Sequence, residues 1–391
     1  MSVKTVAKDA RDYMAAGGLS GWLLYDYLGM NPIFWETVGA ISNVTRPCWL
    51  WIPVEGQPRL LVSYVDQGRF THLGIATRLF DGHEQMTAGL KDLLRASPLV
   101  AMEYSPLGTL PRVSRVDAGT IELVRRLGVE VVSSGDLLEY ATQRWSEAQL
   151  RSHMDAAGAL TAIVGEAFAF IGHGLAAGTT EHAIAEFIRG RFAEEGLEAP
   201  DGPVVAANEH SSDPHFDPTP ETSRAIRAGD WVLIDLWARL AQADAVFADI
   251  TWTAYVGDRV PEKHQRVFDA VVGGRDAALA ALERAFRDGR APEGWELDAV
   301  ARRHIAQAGY GEFFNHRLGH SLGREVHGNA VNLDGWETHD TRRVIPGLAV
   351  TIEPGVYLPE FGVRSEINVY ISEDGPQVTT EVQRSVVRIG G

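Results

Sequence analysis

One acid inside a run with no polar face constrains this chain more than any other feature. In Asp230–Trp237, DWVLIDLW, an extended strand puts Trp231, Leu233 and Trp237 on one face and Val232, Ile234 and Leu236 on the other. Asp235 has no solvent side to occupy. Burying an isolated carboxylate costs several kcal/mol or more, so it must be paired or hold a cation. Three more acids sit in comparable surroundings. In AVFADITWTAYVG, Asp249 shares a face with Thr251 and Thr253, while Ala248, Ile250, Trp252 and Ala254 fill the other; taken alone, the polar face reads as solvated. Glu353 ends the apolar stretch of LAVTIEPGVYL and meets Pro354-Gly355, a turn signal. Glu366 shares a face with Arg364 in GVRSEINVYI, where a plain ion pair accounts for both. Each acid has a structural explanation singly. The four together do not.

The stretch Gly319–Asn329, GHSLGREVHGN, adds His320 and His327, seven residues apart. A regular strand would send that odd spacing to opposite faces, but Gly323 allows a turn that brings both imidazoles to one cavity. Four carboxylates with His320 form a mostly oxygen donor set. That set suits manganese, cobalt, iron or zinc in a two-metal site better than a structural zinc. Two such cations would balance four carboxylates, and about 3.5–4 Å apart they can activate a water and polarise a carbonyl oxygen together. No GxSxG is present, and Cys48, opening an apolar strand after Arg46-Pro47, reads as a small buried hydrophobe.

A chain of 391 residues exceeds one typical core, so about two domains are expected. Residues 1–140 alternate helical segments with short apolar strands and read as an α/β unit. A capping box, Ser146 with Gln149, opens the second domain, 146–391. Its strands are Trp231–Leu236, Phe247–Val256, Leu348–Glu353 and Gly362–Ser372, set among helices without regular alternation. The fold class is therefore α+β. The two acid pairs, 14 and 13 residues apart on successive strands, suggest two hairpins forming halves of one site. The net charge of −16 argues against nucleic acid or an anionic membrane as partner. No apolar run approaches the roughly 18 residues of a membrane span, no secretory leader is evident, and a single cysteine fits a reducing compartment. A cytoplasmic protein is expected.

The order IDLW (Asp235), ADITWT (Asp249), GHSLGREVHG (His320), TIEPGVY (Glu353) and GVRSEINV (Glu366) resembles the pita-bread metallopeptidases, which include Xaa-Pro dipeptidases (prolidases), Xaa-Pro aminopeptidases and methionine aminopeptidases. The resemblance covers about residues 150–385. It implies a C-terminal pita-bread (creatinase/aminopeptidase) domain preceded by a smaller creatinase-like α/β domain, which favours the proline-directed members. By the same resemblance, Asp235 chelates one metal and His320 the other, Asp249 and Glu366 bridge, and Glu353 is both ligand and proton shuttle. His327 and His215, in DPHFDP, would hydrogen-bond the substrate carbonyl and the developing oxyanion, with Arg364 orienting Glu366 or Asp249.

Some residues depart from the family pattern. The Asp235–Asp249 spacing is longer than usual, Trp237 stands where glycine is common, and Trp252 where arginine is common; these changes leave the ligands intact but alter the rim, so the resemblance does not fix the substrate preference. In the family's dimers the N-terminal domain of one subunit borders the other's site, and YDYLGMNPIFW offers Asp26 and Tyr27 as contacts to a substrate amino terminus; a strand end followed by a turn explains them equally. The expectation is a two-metal Xaa-Pro dipeptidase, as a homodimer, acting on small peptides with proline second. The alternatives are an Xaa-Pro aminopeptidase acting on longer peptides and a non-catalytic peptide-binding scaffold.

Overall fold

The structure, a computed structural model, describes residues 2–39 and 41–390. These divide into two compact units, Met1–Arg144 and Trp145–Gly391.

In the first unit the described strands form one mixed sheet of β1 (Gly21–Asp26), β2 (Cys48–Pro53), β3 (Arg59–Ser63), β4 (Ala76–Phe80), β5 (Leu99–Met102) and β6 (Glu130–Ser133), in the order β4-β3-β2-β1-β5-β6. Strand β1 is buried along its whole length, so both faces of the sheet centre are covered. Helix Val3–Ala16 packs its buried Val6, Ala10 and Met14 against one face with Trp22 and Leu24. Strand β4 and helix Pro32–Val38 are among the elements that escape sequence reading. β4, ATRLF, is exposed except for Phe80 and gives no alternation to read. Helix Pro32–Val38 lies in a stretch that reads as a turn, yet Asn31 caps it and Pro32 occupies its first position. Cys48 is buried and free, as the composition implies.

The second unit is built on a long antiparallel hairpin of β9 (Trp231–Leu240) and β10 (Ala248–Val256), introduced by β7 (Leu197–Glu198) and β8 (Val204–Ala207), both of which pair with β9. Helix Glu147–Gly174 opens with the capping box of Ser146 and Gln149 and lays Leu160, Val164, Phe168 and Ile171 on this sheet with Val232, Ile234 and Ile250. That helix, extended to Ala177, is long and apolar enough by length and composition to cross a membrane, although Glu166 and His173 interrupt its apolar sequence. One face of it is buried by packing on the sheet. Helices Glu262–Arg287 and Gly294–Gln307 cover a second core with Val350, Ile352, Val363 and Ile367.

The C-terminal acids lie on broken strands rather than on two continuous ones. The chain forms β11 (Ala349–Ile352), β12 (Gly355–Leu358), β13 (Phe361–Arg364) and β14 (Ile367–Ser372), followed by β15 (Gly375–Val378) and β16 (Val387–Ile389). β12 and β13 form a hairpin, while β11 pairs antiparallel with β14. Glu353 and Glu366 occupy the two breaks. Pro354 cannot donate a backbone hydrogen bond, so the ladder stops there and Glu353 is released from strict alternation.

Candidate metal centre

The β9/β10 register sets the first half of the site. Asp235 lies directly across from Thr251, and Trp237 across from Asp249, all on one face of the hairpin. That face is interior: Thr251 and Thr253 are fully buried, which rules out the solvated reading of the strand. The second half is docked by backbone pairing. Asp249 N donates to Asn368 Oδ1 at 2.9 Å, and Asn368 Nδ2 donates to the Asp249 carbonyl at 2.7 Å, tying β10 to β14.

His320 enters from an irregular segment. Gly319 permits the approach, since a Cβ there would stand 2.1 Å from the Thr351 carbonyl. Gly328 N donates to the Ser321 carbonyl at 2.7 Å and closes the intervening loop, so both imidazoles line one cavity with ring centroids 4.4 Å apart. The ring of His320 is buried and that of His327 exposed.

Asp249, His320 and Glu366 each place one donor atom within 4.8 Å of the other two. Glu353 joins them, with Oε1 3.2 Å from His320 Nε2, which also stands 3.7 Å from Asp249 Oδ2. A carbonyl only accepts, so His320 Nδ1 donates to the Ser321 carbonyl at 3.1 Å and Nε2 turns its lone pair toward the carboxylates. Asp235 is linked through two neighbours: Arg364 Nη2 donates to its Oδ2 at 2.5 Å, and Thr251 Oγ1 lies 3.1 Å from its Oδ1. Arg364 Nε donates to Thr251 Oγ1 at 3.0 Å, and the Thr251 hydroxyl reaches Glu366 Oε2 at 2.8 Å.

Several side chains that sequence reading passed over complete this network. Thr251 had a signal, its shared face with Asp249. Tyr357 had none: its hydroxyl accepts from Arg364 Nη1 at 2.9 Å and donates to His316 Nε2 at 2.9 Å. His316 Nδ1 donates to the Arg317 carbonyl at 2.7 Å, and burial pushes this imidazole down to about 3, keeping it neutral. Thr351 Oγ1 bonds Glu353 Oε1 at 3.0 Å.

The electrostatics favour a cation. Burial first, then the charges of Asp235 and Glu353, hold Asp249 well above the usual carboxylate range. Burial and Asp249 do the same to Glu366, and burial pushes Glu353 up to about 7 against the opposing charge of Arg364. Asp249 Oδ1 and Glu366 Oε1 are buried with no hydrogen-bond partner. Orphaned buried carboxylate oxygens facing an imidazole lone pair are costly unless a cation stands among them, so these residues fit divalent metal.

Of the remaining expected residues, His215 is exposed and lines the same cavity of about 590 Å³, as do Trp237 and Arg364. Arg364 contacts Asp235 and Thr251 directly, so it orients Asp235, and its hydrogen-bonded path to Glu366 runs through Thr251. Asp26, in the first unit, is fully buried, and its oxygens accept from Gly29 N at 2.8 Å and Asn31 N at 2.7 Å. It braces a turn and has no face free for a peptide amine. Tyr27 beside it is 44% exposed.

Comparison with known proteins agrees with this geometry. Residues 152–373 match the model of metallopeptidase family M24. The probable dipeptidase PepE of Mycobacterium tuberculosis is 30% identical over 92% of this chain and 90% of its own length. The Xaa-Pro dipeptidase of Pyrococcus horikoshii is 33% identical over 54% of this chain and 56% of its own length. The chain aligns with only about half the length of several curated relatives. The crystal structure of dipeptidase PepE from Mycobacterium ulcerans superposes with a TM-score of 0.76 at 23% identity, covering 99% of this chain and 98% of that one. The prolidase from Pyrococcus horikoshii OT3 superposes at 0.62 and 24% identity, covering 98% and 99%. The architecture is thus the pita-bread α+β fold with an added N-terminal unit, and the chain belongs to metallopeptidase family M24.

Proposed function

We propose that this protein is a two-metal peptidase that hydrolyses the bond before proline in dipeptides. The observation that carries the reading is the pair of buried oxygens, Asp249 Oδ1 and Glu366 Oε1, left without partners where His320 and Glu353 converge beside an open cavity. Asp235, Asp249, His320, Glu353 and Glu366 would hold two divalent ions, manganese being the first to test. When bound, the ions supply Lewis acidity to the scissile carbonyl and acidify a water.

The protein's own groups do the rest. Glu353 lies on the cavity wall and takes a proton from the attacking water, then passes it to the leaving imino nitrogen. His327 and His215 line the same cavity and donate hydrogen bonds to the substrate carbonyl oxygen as it gains charge. Arg364, engaged by Asp235, Thr251 and Tyr357, fixes the acids in place. Among the cavity-lining residues, Arg317 is the other guanidinium; its long 3.5 Å contact with Glu337 leaves it able to meet a terminal carboxylate, which favours short peptides. The dipeptidase names of several relatives support the same choice. A cytoplasmic homodimer belongs to this reading.

The test is chelation and rescue with Ala-Pro and Ala-Pro-Ala as substrates. Activity on Ala-Pro should vanish with a chelator and return with divalent metal. Cleavage of the tripeptide alone would replace the dipeptidase reading with an aminopeptidase one, and activity indifferent to chelation would remove the metal mechanism.

A further inference from the structure

Trp237 follows Asp235 by two residues on β9, so its indole stands on the site's face of the strand. The ring lies directly on the backbone of Gly202, where φ is +74° and an added Cβ would come within 2.5 Å of the indole. Its Nε1–H donates to Asp201 Oδ1 at 3.1 Å. Arg189 Nε separately donates to the Gly202 carbonyl at 3.0 Å, so the turn carrying Asp201 and Gly202 is held by two side chains. Trp237, Asp201, Val204 and His215 line both the cavity beside the acids and an adjoining cavity of about 720 Å³. That second cavity is apolar along Phe192, Leu197, Pro200 and Phe216. A cavity with an apolar stretch of wall, bordered by Arg189, Glu198 and Asp217, therefore adjoins the site, with one indole in the wall between them.

We propose that Trp237, seated on Gly202 and tied to Asp201, is the specificity partition of the cleft: it excludes large side chains from the substrate residue lying beside Asp235. This rests on the peptidase reading above. Charge settles which residue that is. Asp201 favours the ammonium end of a peptide on the Trp237 side, while Arg317 on the same cavity favours the carboxylate end. The partition therefore meets the amino-terminal side chain. It selects for small ones, and opening it gives a large side chain an apolar space to enter.

The experiment measures kcat/KM of the metal-loaded full-length protein for two dipeptide series, Xaa-Pro and Xaa-Ala, with Gly, Ala, Leu and Phe as Xaa. Wild type should prefer Gly and Ala. Trp237→Gly should raise the Phe-to-Ala ratio at least about tenfold, the scale a pocket gains from accommodating added apolar groups. Trp237→Leu, which keeps apolar packing toward Phe216, should shift the ratio in the same direction by less and guards against a glycine variant that does not fold. Trp237→Phe, keeping a ring on Gly202, should stay near wild type. Wild type that cleaves Phe and Ala substrates equally well, or folded variants with an unchanged ratio, overturns the partition while leaving the peptidase reading intact. Cleavage confined to Xaa-Ala overturns proline specificity, and the same ratio still decides the partition. Cleavage of neither series overturns both.

Discussion

Arg364 stands between the acids as their one buried guanidinium contact, so its removal measures how much positive charge the site needs. Its side chain is 5% exposed and donates to Asp235, Thr251 and Tyr357. Arg364→Met keeps apolar volume and deletes the charge. In metal-free protein the variant leaves Asp235 and its neighbours uncompensated, and breaking a buried pair in this way costs about 3–5 kcal/mol. In metal-loaded protein the cations balance the same acids, and the loss reduces to hydrogen bonds, about 1–3 kcal/mol. Metal should therefore recover roughly 2 kcal/mol of the damage. Calorimetry reads this from the transition that moves on metal addition, which reports the metal-binding unit. Its midpoint should fall on the order of 10 °C without metal and about half as far with it. An equal fall in both states would mean that the charge of Arg364 is not what cations replace, and the electrostatic account of the site would fail.

Glu353→Ala should lower kcat by at least about a hundredfold, the scale of a lost general acid–base group, while circular dichroism stays unchanged; near-native turnover would strip Glu353 of its assigned role. Two pH effects lie away from the metal site. Glu103, buried among Trp22, Asn31 and Ser134, is pushed up to about 7 by burial, against those hydrogen bonds. A carboxyl raised on folding contributes stability at acid pH that is lost as pH rises from its ordinary value through about 7, on the order of 3 kcal/mol. Glu103→Gln should flatten that slope, and a slope equal to wild type would contradict it. His153 moves the other way: burial lowers it to about 4 while Nδ1 donates to the Phe247 carbonyl at 2.8 Å. The stability it lends is full above its ordinary value and is lost as pH falls through about 4, and an NMR titration finding its midpoint near 6.5 would refute this.

Much of this molecule is legible in one dimension because periodicity and burial cost are local. The capping box at Ser146 lies where the pattern places it. DWVLIDLW announces a buried acid because both of its faces are apolar, and a buried charge demands a counter-charge wherever the chain goes. What tertiary structure alone decided was which groups meet. Tyr357 and His316 carry no sequence signal because they act through Arg364, brought to them by the β12–β13 hairpin and the loop before His320. Asp26 was open as a substrate contact until the turn after β1 took up its oxygens. Trp237 reads in sequence as an unusual residue on the rim; only the approach of Gly202, from a separate loop, makes it a wall. Local pattern says that a side chain must be satisfied, whereas the partner that satisfies it is chosen by contacts distant along the chain, and those exist only once the chain has folded.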